Sequence, residues 1–413
     1  MGLRRLICLL VVLLLAACAT TPTGPRETRH AQVPLILVSL DGVRPEYLQR
    51  GLTPTLRRLA RTGVAARGMR PSYPSLTFPN HYSIVTGLRP DRHGIVANRM
   101  RDAELGEFTM ENRAAVGDGR WWGGVPLWVS LHRVGVRTAA MFWPGTEADV
   151  LGVRPHWWYR FDYKVNMDTR VDRVLAWMAL PEAERPRLIT LYFEHVDAAG
   201  HYYGPDSTEV DQTLRKVDRA LAKLVRGLRD QNSVANLVIV SDHGMEATSE
   251  QRLVIVDDYI DPAKIEINEY GALLMATPLR GFEQEAASAL VGQHKHMQCW
   301  PKAELPPRWH HGSHPRVAPI SCQLETGWYA ITRERLHNQK GKISLGKHGY
   351  DPELASMHAI FIANGPDFAV GKRLDVFDNV DVYPLLAKLL DVAPVENDGD
   401  PTALESALRE ATR

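Results

Sequence analysis

The sequence predicts an α/β fold with a mostly parallel central sheet flanked by helices. Two observations carry that expectation. Apolar, strand-like runs alternate with stretches of helical spacing, and three of the runs end in an aspartate. A third observation predicts an addition: residues 283–345 differ in composition and read as a small inserted cap. A length of 413 residues suits one large domain with insertions, or two joined lobes.

Residues 33–42, VPLILVSLDG, are a continuous apolar run closed by Asp-Gly. They read as a buried parallel strand with its functional residue at the carboxyl end. Residues 52–63 have helical spacing and a glycine stop. Residues 71–87, PSYPSLTFPNHYSIVTG, set Thr77 among prolines at a helix start, with Pro79 harmless in the first turn. Strands are expected at 136–145, at 187–197 ending in Asp197, at 235–244 ending in Asp-His-Gly, and at 357–366. Helices are expected at 168–180, at 381–390, and at 207–230 with Ser207 as N-cap and Glu209 in the first turn. The cap carries His294, His296, His310, His311, His314, Cys299 and Cys322. The main folded domain is expected to run over 33–395, with a C-terminal tail at 396–413.

Basic and acidic residues nearly cancel, 49 against 48, and form no basic stripe. Nucleic-acid binding is therefore not expected. The N-terminus has Arg4, Arg5, an apolar run too short for a comfortable permanent span, and then Leu15-Ala16-Ala17-Cys18. This reads as a secretory signal. The small-residue pair before Cys18 resembles the bacterial lipoprotein cleavage site, which implies a signal peptide at 1–17, a lipidated Cys18, and a membrane as partner. The plainer alternative is a cleaved signal with an incidental cysteine. Residues 18–32 then form a polar, flexible tether. With Ala19 rather than aspartate after the cysteine, the resemblance implies a bacterial cell-envelope lipoprotein on the periplasmic face of the outer membrane. Of four cysteines, Cys8 and Cys18 belong to this signal region. Export would allow the remaining two, Cys299 and Cys322, to form a disulfide.

In an open α/β sheet, sites lie beyond the carboxyl ends of the strands. That rule converges Asp41, Asp197 and Asp242. Asp197 and His201, four apart in HVDAAGH, share one face of a helical turn. Asp242 and His243 are adjacent where the chain leaves its extended form, so both can turn inward. His348 sits beside Gly349, which permits close approach. Three aspartates and three histidines suit zinc. Taken singly these are weak signals, since Asp-Gly is usually a turn and a lone histidine usually a satisfied core or surface residue. The ordered set is the signal. Thr77 is also a common choice for a helix N-cap, and an anionic group held there would meet free backbone N–H groups and the positive end of the helix dipole.

LVSLDGVRPEYL, PSLTFPNHYSIVTGLRPDRHGIVAN, EHVDAAGHYYGP, VIVSDHGM and KHGYDP occur in this order between about 33 and 390. Together they resemble the nucleotide pyrophosphatase/phosphodiesterase family of the alkaline phosphatase superfamily. The resemblance implies an alkaline-phosphatase-like fold and two zinc ions per chain. It implies one zinc at Asp197, His201 and His348, and the other at Asp41, Asp242 and His243 with Thr77. It implies Thr77 as the covalent nucleophile, and Asn98 as a donor that joins the Thr77 amide on a phosphoryl oxygen.

Residues 75–84 contain no arginine to neutralise a second phosphoryl charge, which favours a diester over a monoester. Phe78, Tyr192 and Phe161 are the candidate aromatic contacts for the organic groups, nucleobases being good stacking partners. The expected substrate is a nucleotide 5′-phosphodiester or pyrophosphate, cleaved to a nucleoside 5′-monophosphate. Within the superfamily the alternative is a lipid head group or another diester. Outside it the alternative is a non-catalytic metal-binding envelope lipoprotein.

Overall fold

The computed structural model describes residues 33–409. The expected signal peptide, the tether and Cys18 lie outside the described residues, as do 410–413. Eight strands form the main sheet. Their spatial order is Lys372–Leu374, Val64–Ala66, Phe361–Asn364, Asn236–Val240, Leu35–Leu40, Leu188–Phe193, Thr138–Met141 and Trp157–Trp158. Leu35–Leu40 lies between Asn236–Val240 and Leu188–Phe193 and runs parallel to both. All three strands are buried along their whole length. That is what near-continuous apolar runs require when both faces of a parallel sheet are covered.

The covering layers follow from the alternation of side chains along a strand. Leu35 and Leu37 enter one core with Tyr82, Ile84 and Leu386. Ile36 and Val38 enter the other with Leu56, Val171 and Leu221. The helices supplying these residues include Pro54–Thr62, Thr77–Thr86, Met167–Met178, Thr208–Asp230 and Val382–Leu389. Ser207 caps the longest of them, accepting the Val210 N–H at 3.3 Å, with Glu209 in the first turn. The fold is alkaline-phosphatase-like, mostly parallel and flanked by helices.

Register decides where the chemistry falls. Ser39 stands opposite both Tyr192 and Val240. Two residues further on, the chains leave the sheet at one level, at Asp41, Glu194 and Asp242. Gly42 has φ +69°, and a Cβ there would lie 3.0 Å from the Asp197 Cα, so the turn after Asp41 needs glycine.

Two expected elements differ in detail. The strand expected at 357–366 is Phe361–Asn364, and it runs antiparallel to Asn236–Val240. Its amino end therefore lies at the carboxyl edge of its neighbours, so His348, upstream of it, reaches the same edge as the aspartates. The expected cap at 283–345 is part of a larger unit. A five-stranded antiparallel sheet runs in the order Ile265–Glu269, Leu273–Pro278, Ile320–Leu324, Met297–Pro301 and Gly292–His294. Two of its strands thus precede residue 283. Residues after 395 also belong to the body: Asp398 accepts from the Arg89 N–H at 2.8 Å, and the Ala369 N–H donates to the Ala407 carbonyl at 2.9 Å.

Cys299 and Cys322 face each other across two strands of the smaller sheet and form a disulfide. An unreduced digest is expected to yield one linked peptide pair containing both residues; recovery of both as free thiols would contradict the bridge. Losing a native bridge costs about 2–5 kcal/mol in small domains, and a smaller effect is expected in this larger chain.

Candidate active site

Asp41 follows the first strand, Asp242 and His243 follow Asn236–Val240, and all three are buried. Asp197 arrives by a different route from the one expected. The strand stops at Phe193, and Asp197 sits in the first turn of the helix His195–Tyr203. The helix places His201 one turn on, its Nε2 3.4 Å from the Asp197 carboxylate. His348 Nε2 lies 3.6 Å from Asp197 and 3.1 Å from His201 Nε2. His243 Nε2 lies 2.9 Å from Asp242 and 3.6 Å from Asp41. Ligand atoms of Asp41, Asp242 and His243 lie within 4.8 Å of one another, as do those of Asp197, His243 and His348. His243 thus stands at the junction of two clusters, and its ring stacks on His348 at 3.6 Å.

Three observations show that these residues fit divalent cations. First, Asp41 Oδ1, Asp197 Oδ1 and Asp242 Oδ2 are buried without a hydrogen-bond partner, a costly state for carboxylate oxygens. Second, each histidine is held through Nδ1 by a group that can only accept. The Ser75 carbonyl faces His348 at 2.9 Å, the Gly346 carbonyl faces His201 at 2.7 Å, and the Gly244 carbonyl faces His243 at 2.9 Å. Nδ1 then carries the proton and the Nε2 lone pairs point inward, the usual preparation of a metal-ligating imidazole. Third, the electrostatics favour a cation. Burial, with repulsion from Asp242 and Asp197, pushes the Asp41 carboxyl well above the usual carboxylate range. Burial would also raise Asp242, but His243 and His81 outweigh it and hold it well below. Burial lowers His243, yet attraction to Asp242 outweighs that and raises it above the usual imidazole value, so positive charge is favoured at this point. Burial drives His201 and His348 down into the neutral, ligating form.

Thr77 is the first residue of the helix Thr77–Thr86. It is not the N-cap: Leu76 holds that position and makes no side-chain capping bond. Its hydroxyl is therefore released from capping and lies 3.2 Å from His243 Nε2. The Thr77 N–H, at the head of the helix, has no intrahelical acceptor. Asn98 Oδ1 accepts the Phe78 N–H at 3.0 Å, which leaves its amide hydrogens as the free donors beside Thr77. Glu269 of the five-stranded sheet accepts the neighbouring Arg99 N–H at 3.0 Å and so ties the Asn98 turn in place.

A cavity of about 540 Å³ opens over Asp41, Thr77 and Asp197. Phe78, Phe161 and Tyr192 all line it. Tyr192 does more than offer a ring: its hydroxyl donates to Asp41 Oδ2 at 2.6 Å, so its polar end holds a candidate ligand rather than substrate. Phe161 packs on Phe142 and Tyr192, and its N–H donates to Glu147 Oε1 at 2.8 Å.

Sequence reasoning missed several lining residues. Trp143 and Glu194 sit just past strand ends, so the carboxyl-edge rule applied to every strand finds them. The Arg113–Glu147 ion pair has no such signal. Arg113 opens the short helix Arg113–Val116 and Glu147 lies in a distant turn, and neither lies in a motif.

Comparison with known proteins places the chain. The family model described as type I phosphodiesterase / nucleotide pyrophosphatase matches residues 35–351. An uncharacterized pyrophosphatase/phosphodiesterase of Schizosaccharomyces pombe is 35% identical over 392 residues, which is 90% of this chain and 80% of that one. Ectonucleotide pyrophosphatase/phosphodiesterase family member 1 of Homo sapiens is 34% identical over 91% of this chain and 42% of its own. The chain thus spans less than half of that longer relative. The solved structure of human ectonucleotide pyrophosphatase/phosphodiesterase 5 aligns with a TM-score of 0.86 and 31% identity, covering 91% of this chain and 100% of that one. An inactive murine form of the same protein, in complex with AMP, aligns with a TM-score of 0.86 and 32% identity over 92% of this chain and 100% of its own. With its fold, its two ligand clusters and these likenesses in agreement, the chain belongs to the type I phosphodiesterase / nucleotide pyrophosphatase family.

Proposed function

We propose that this protein hydrolyses nucleotide 5′-phosphodiester and pyrophosphate bonds through a covalent phosphothreonine at Thr77, with two zinc ions, and releases a nucleoside 5′-monophosphate. One observation carries the reading. A buried threonine hydroxyl, spared from capping, lies 3.2 Å from His243 at the meeting point of two carboxylate–imidazole clusters. The murine neighbour that holds AMP supports a nucleotide as substrate.

Asp41, Asp242 and His243 would hold the ion beside Thr77; Asp197, His201 and His348 would hold the other. When bound, such ions supply Lewis acidity that favours ionised oxygens on the attacking and leaving sides. The chain's own residues do the rest. Thr77 Oγ1 gives its proton to solvent and forms a bond to phosphorus as the bond to the leaving oxygen breaks, and that oxygen departs as an anion or takes a proton from solvent. Water then attacks the same phosphorus, Thr77 Oγ1 departs and regains a proton, and the monophosphate leaves. The Thr77 N–H and the Asn98 amide stand ready for a non-bridging oxygen. Phe78 and Phe161 offer ring faces to the organic group.

Asn98→Ala is expected to lower kcat by about 10²–10³, or about 2.7–4 kcal/mol, as loss of one preorganised donor does elsewhere. Steady-state kinetics on a nitrophenyl ester of a nucleoside 5′-monophosphate checks this; an unchanged kcat would remove Asn98 from the site. The same assay, run beside an aryl monoester and a phosphocholine ester, tests the substrate class. A second reading has its own support: Glu111 and Asp162 line the cavity with the aromatic rings, while Glu147 and Glu194 there are paired with Arg113 and Arg170. The two remaining carboxylates with the rings suit a cationic lipid head group. Preference for the phosphocholine ester would select that reading. The membrane anchor at Cys18 remains our proposal from the sequence, and is checked by whether Cys18→Ser changes precursor processing and membrane partition.

A further inference from the structure

We propose that His81 is a positioning residue whose single buried imidazole sets both the Thr77 turn and the candidate metal ligand Asp242. The inference rests on the two-metal, threonine-nucleophile reading and adds a residue to it. His81 lies one helical turn after Thr77 and is fully buried. Its Nδ1 is 2.8 Å from the Thr77 carbonyl oxygen. A carbonyl only accepts, so Nδ1 carries the proton and donates. The same nitrogen is 3.3 Å from Asp242 Oδ2. Nε2 is then the acceptor, and the Ser39 hydroxyl lies 2.7 Å from it, on the strand that delivers Asp41 two residues later.

The ring is held on both sides. Trp143 and Tyr192 pack edge-on against it, each with centroids 5.0 Å away. The Trp143 indole N–H donates to the His81 carbonyl at 3.1 Å, and Tyr192 is the residue that holds Asp41. One imidazole therefore touches the nucleophile's own carbonyl, one candidate ligand, and the residue that orients another. Filling space between a helix and a sheet needs only an apolar side chain. It does not need a ring N–H aimed at the Thr77 carbonyl and lying beside Asp242, with the other nitrogen anchored on Ser39. Partners of this kind, one step behind metal ligands, typically change metal affinity or activity by about 10–100-fold when lost.

The test uses the full chain and three variants. His81→Leu keeps most of the volume and removes the contacts to Thr77, Asp242 and Ser39. His81→Asn keeps an amide N–H near the place of Nδ1. His81→Gln reaches toward Ser39 but leaves the Thr77 carbonyl without its donor and Asp242 without the polar N–H nearby. The readouts are zinc affinity of the metal-free protein by chelator competition, resolved for each ion, the thermal midpoint, and kcat and KM separately. His81→Leu is expected to weaken one of the two ions by about 10–100-fold, to lower kcat with little change in KM, and to leave the other ion's affinity unchanged. His81→Asn is expected to regain most of both losses. Where the leucine variant does not fold, His81→Gln replaces it and is expected to show the defect that asparagine avoids.

Wild-type zinc affinities and kcat in the leucine and glutamine variants would overturn the inference. So would both ions weakening together with the thermal midpoint while asparagine rescues nothing, since that is the signature of a packing role. In either case a wild-type protein that still binds two ions leaves the underlying reading intact. A wild-type protein that binds fewer would overturn both.

Discussion

Thr77→Ala is expected to abolish turnover while leaving metal binding largely intact. The substitution removes the attacking oxygen and the Cγ methyl group, and the six carboxylate and imidazole candidates remain in place. Removing a covalent nucleophile elsewhere costs about 10⁶ in kcat, and a loss of at least about 10⁴-fold is expected here. The helix should survive, because Thr77 makes no capping bond and Leu76 holds the N-cap position. Thr77→Ser keeps the hydroxyl and loses one methyl, so appreciable activity is expected. Metal analysis beside kinetics checks both variants. An alanine variant with substantial turnover, or one that loses its metal, would assign Thr77 to ligation or structure.

Removal of divalent ions is expected to have an effect of similar size, reversed by zinc. Asp41, Asp197 and Asp242 each bury an oxygen without a hydrogen-bond partner, so the metal-free site holds repelling carboxylates that a cation relieves. The same relief should appear as stability. An ion present at 100 times its Kd adds about 2.7 kcal/mol if it binds only the folded state, so the thermal midpoint should fall on chelation and recover with zinc. Metal analysis of active protein should find two ions per chain. Full turnover with fewer than two would refute the paired-cluster assignment.

Much of this site was legible in the sequence because its residues follow apolar runs. Asp41 and Asp242 could be placed from the carboxyl-edge rule alone, once strands and helices were seen to alternate. Ser207 and the helix after it were legible from local capping chemistry. Other features depend on long-range geometry that no local pattern encodes. The Asp197–His201 spacing reads locally as a helical turn, but the LYFEHVD stretch also reads as strand up to Asp197. Where one gives way to the other, the strand stopping at Phe193 and the helix beginning at His195, is set by the fold. Strand direction is likewise not written in an apolar run, so the antiparallel course of Phe361–Asn364 had to be seen. Tyr192 reads as a stacking ring in sequence. Only the register that sets Ser39 opposite it shows why its hydroxyl reaches Asp41. The smaller sheet was underestimated because Ile265–Glu269 and Leu273–Pro278 lack the histidines and cysteines that mark the rest of it.

The central claim is that Thr77 forms a covalent bond to phosphorus, and the stereochemistry at phosphorus tests it most directly. Hydrolysis of a chiral phosphorothioate diester in isotopically labelled water reports the configuration of the released monophosphorothioate. Two successive in-line displacements, first by Thr77 and then by water, predict net retention. Net inversion would mean that water attacks in a single step, and would contradict the account.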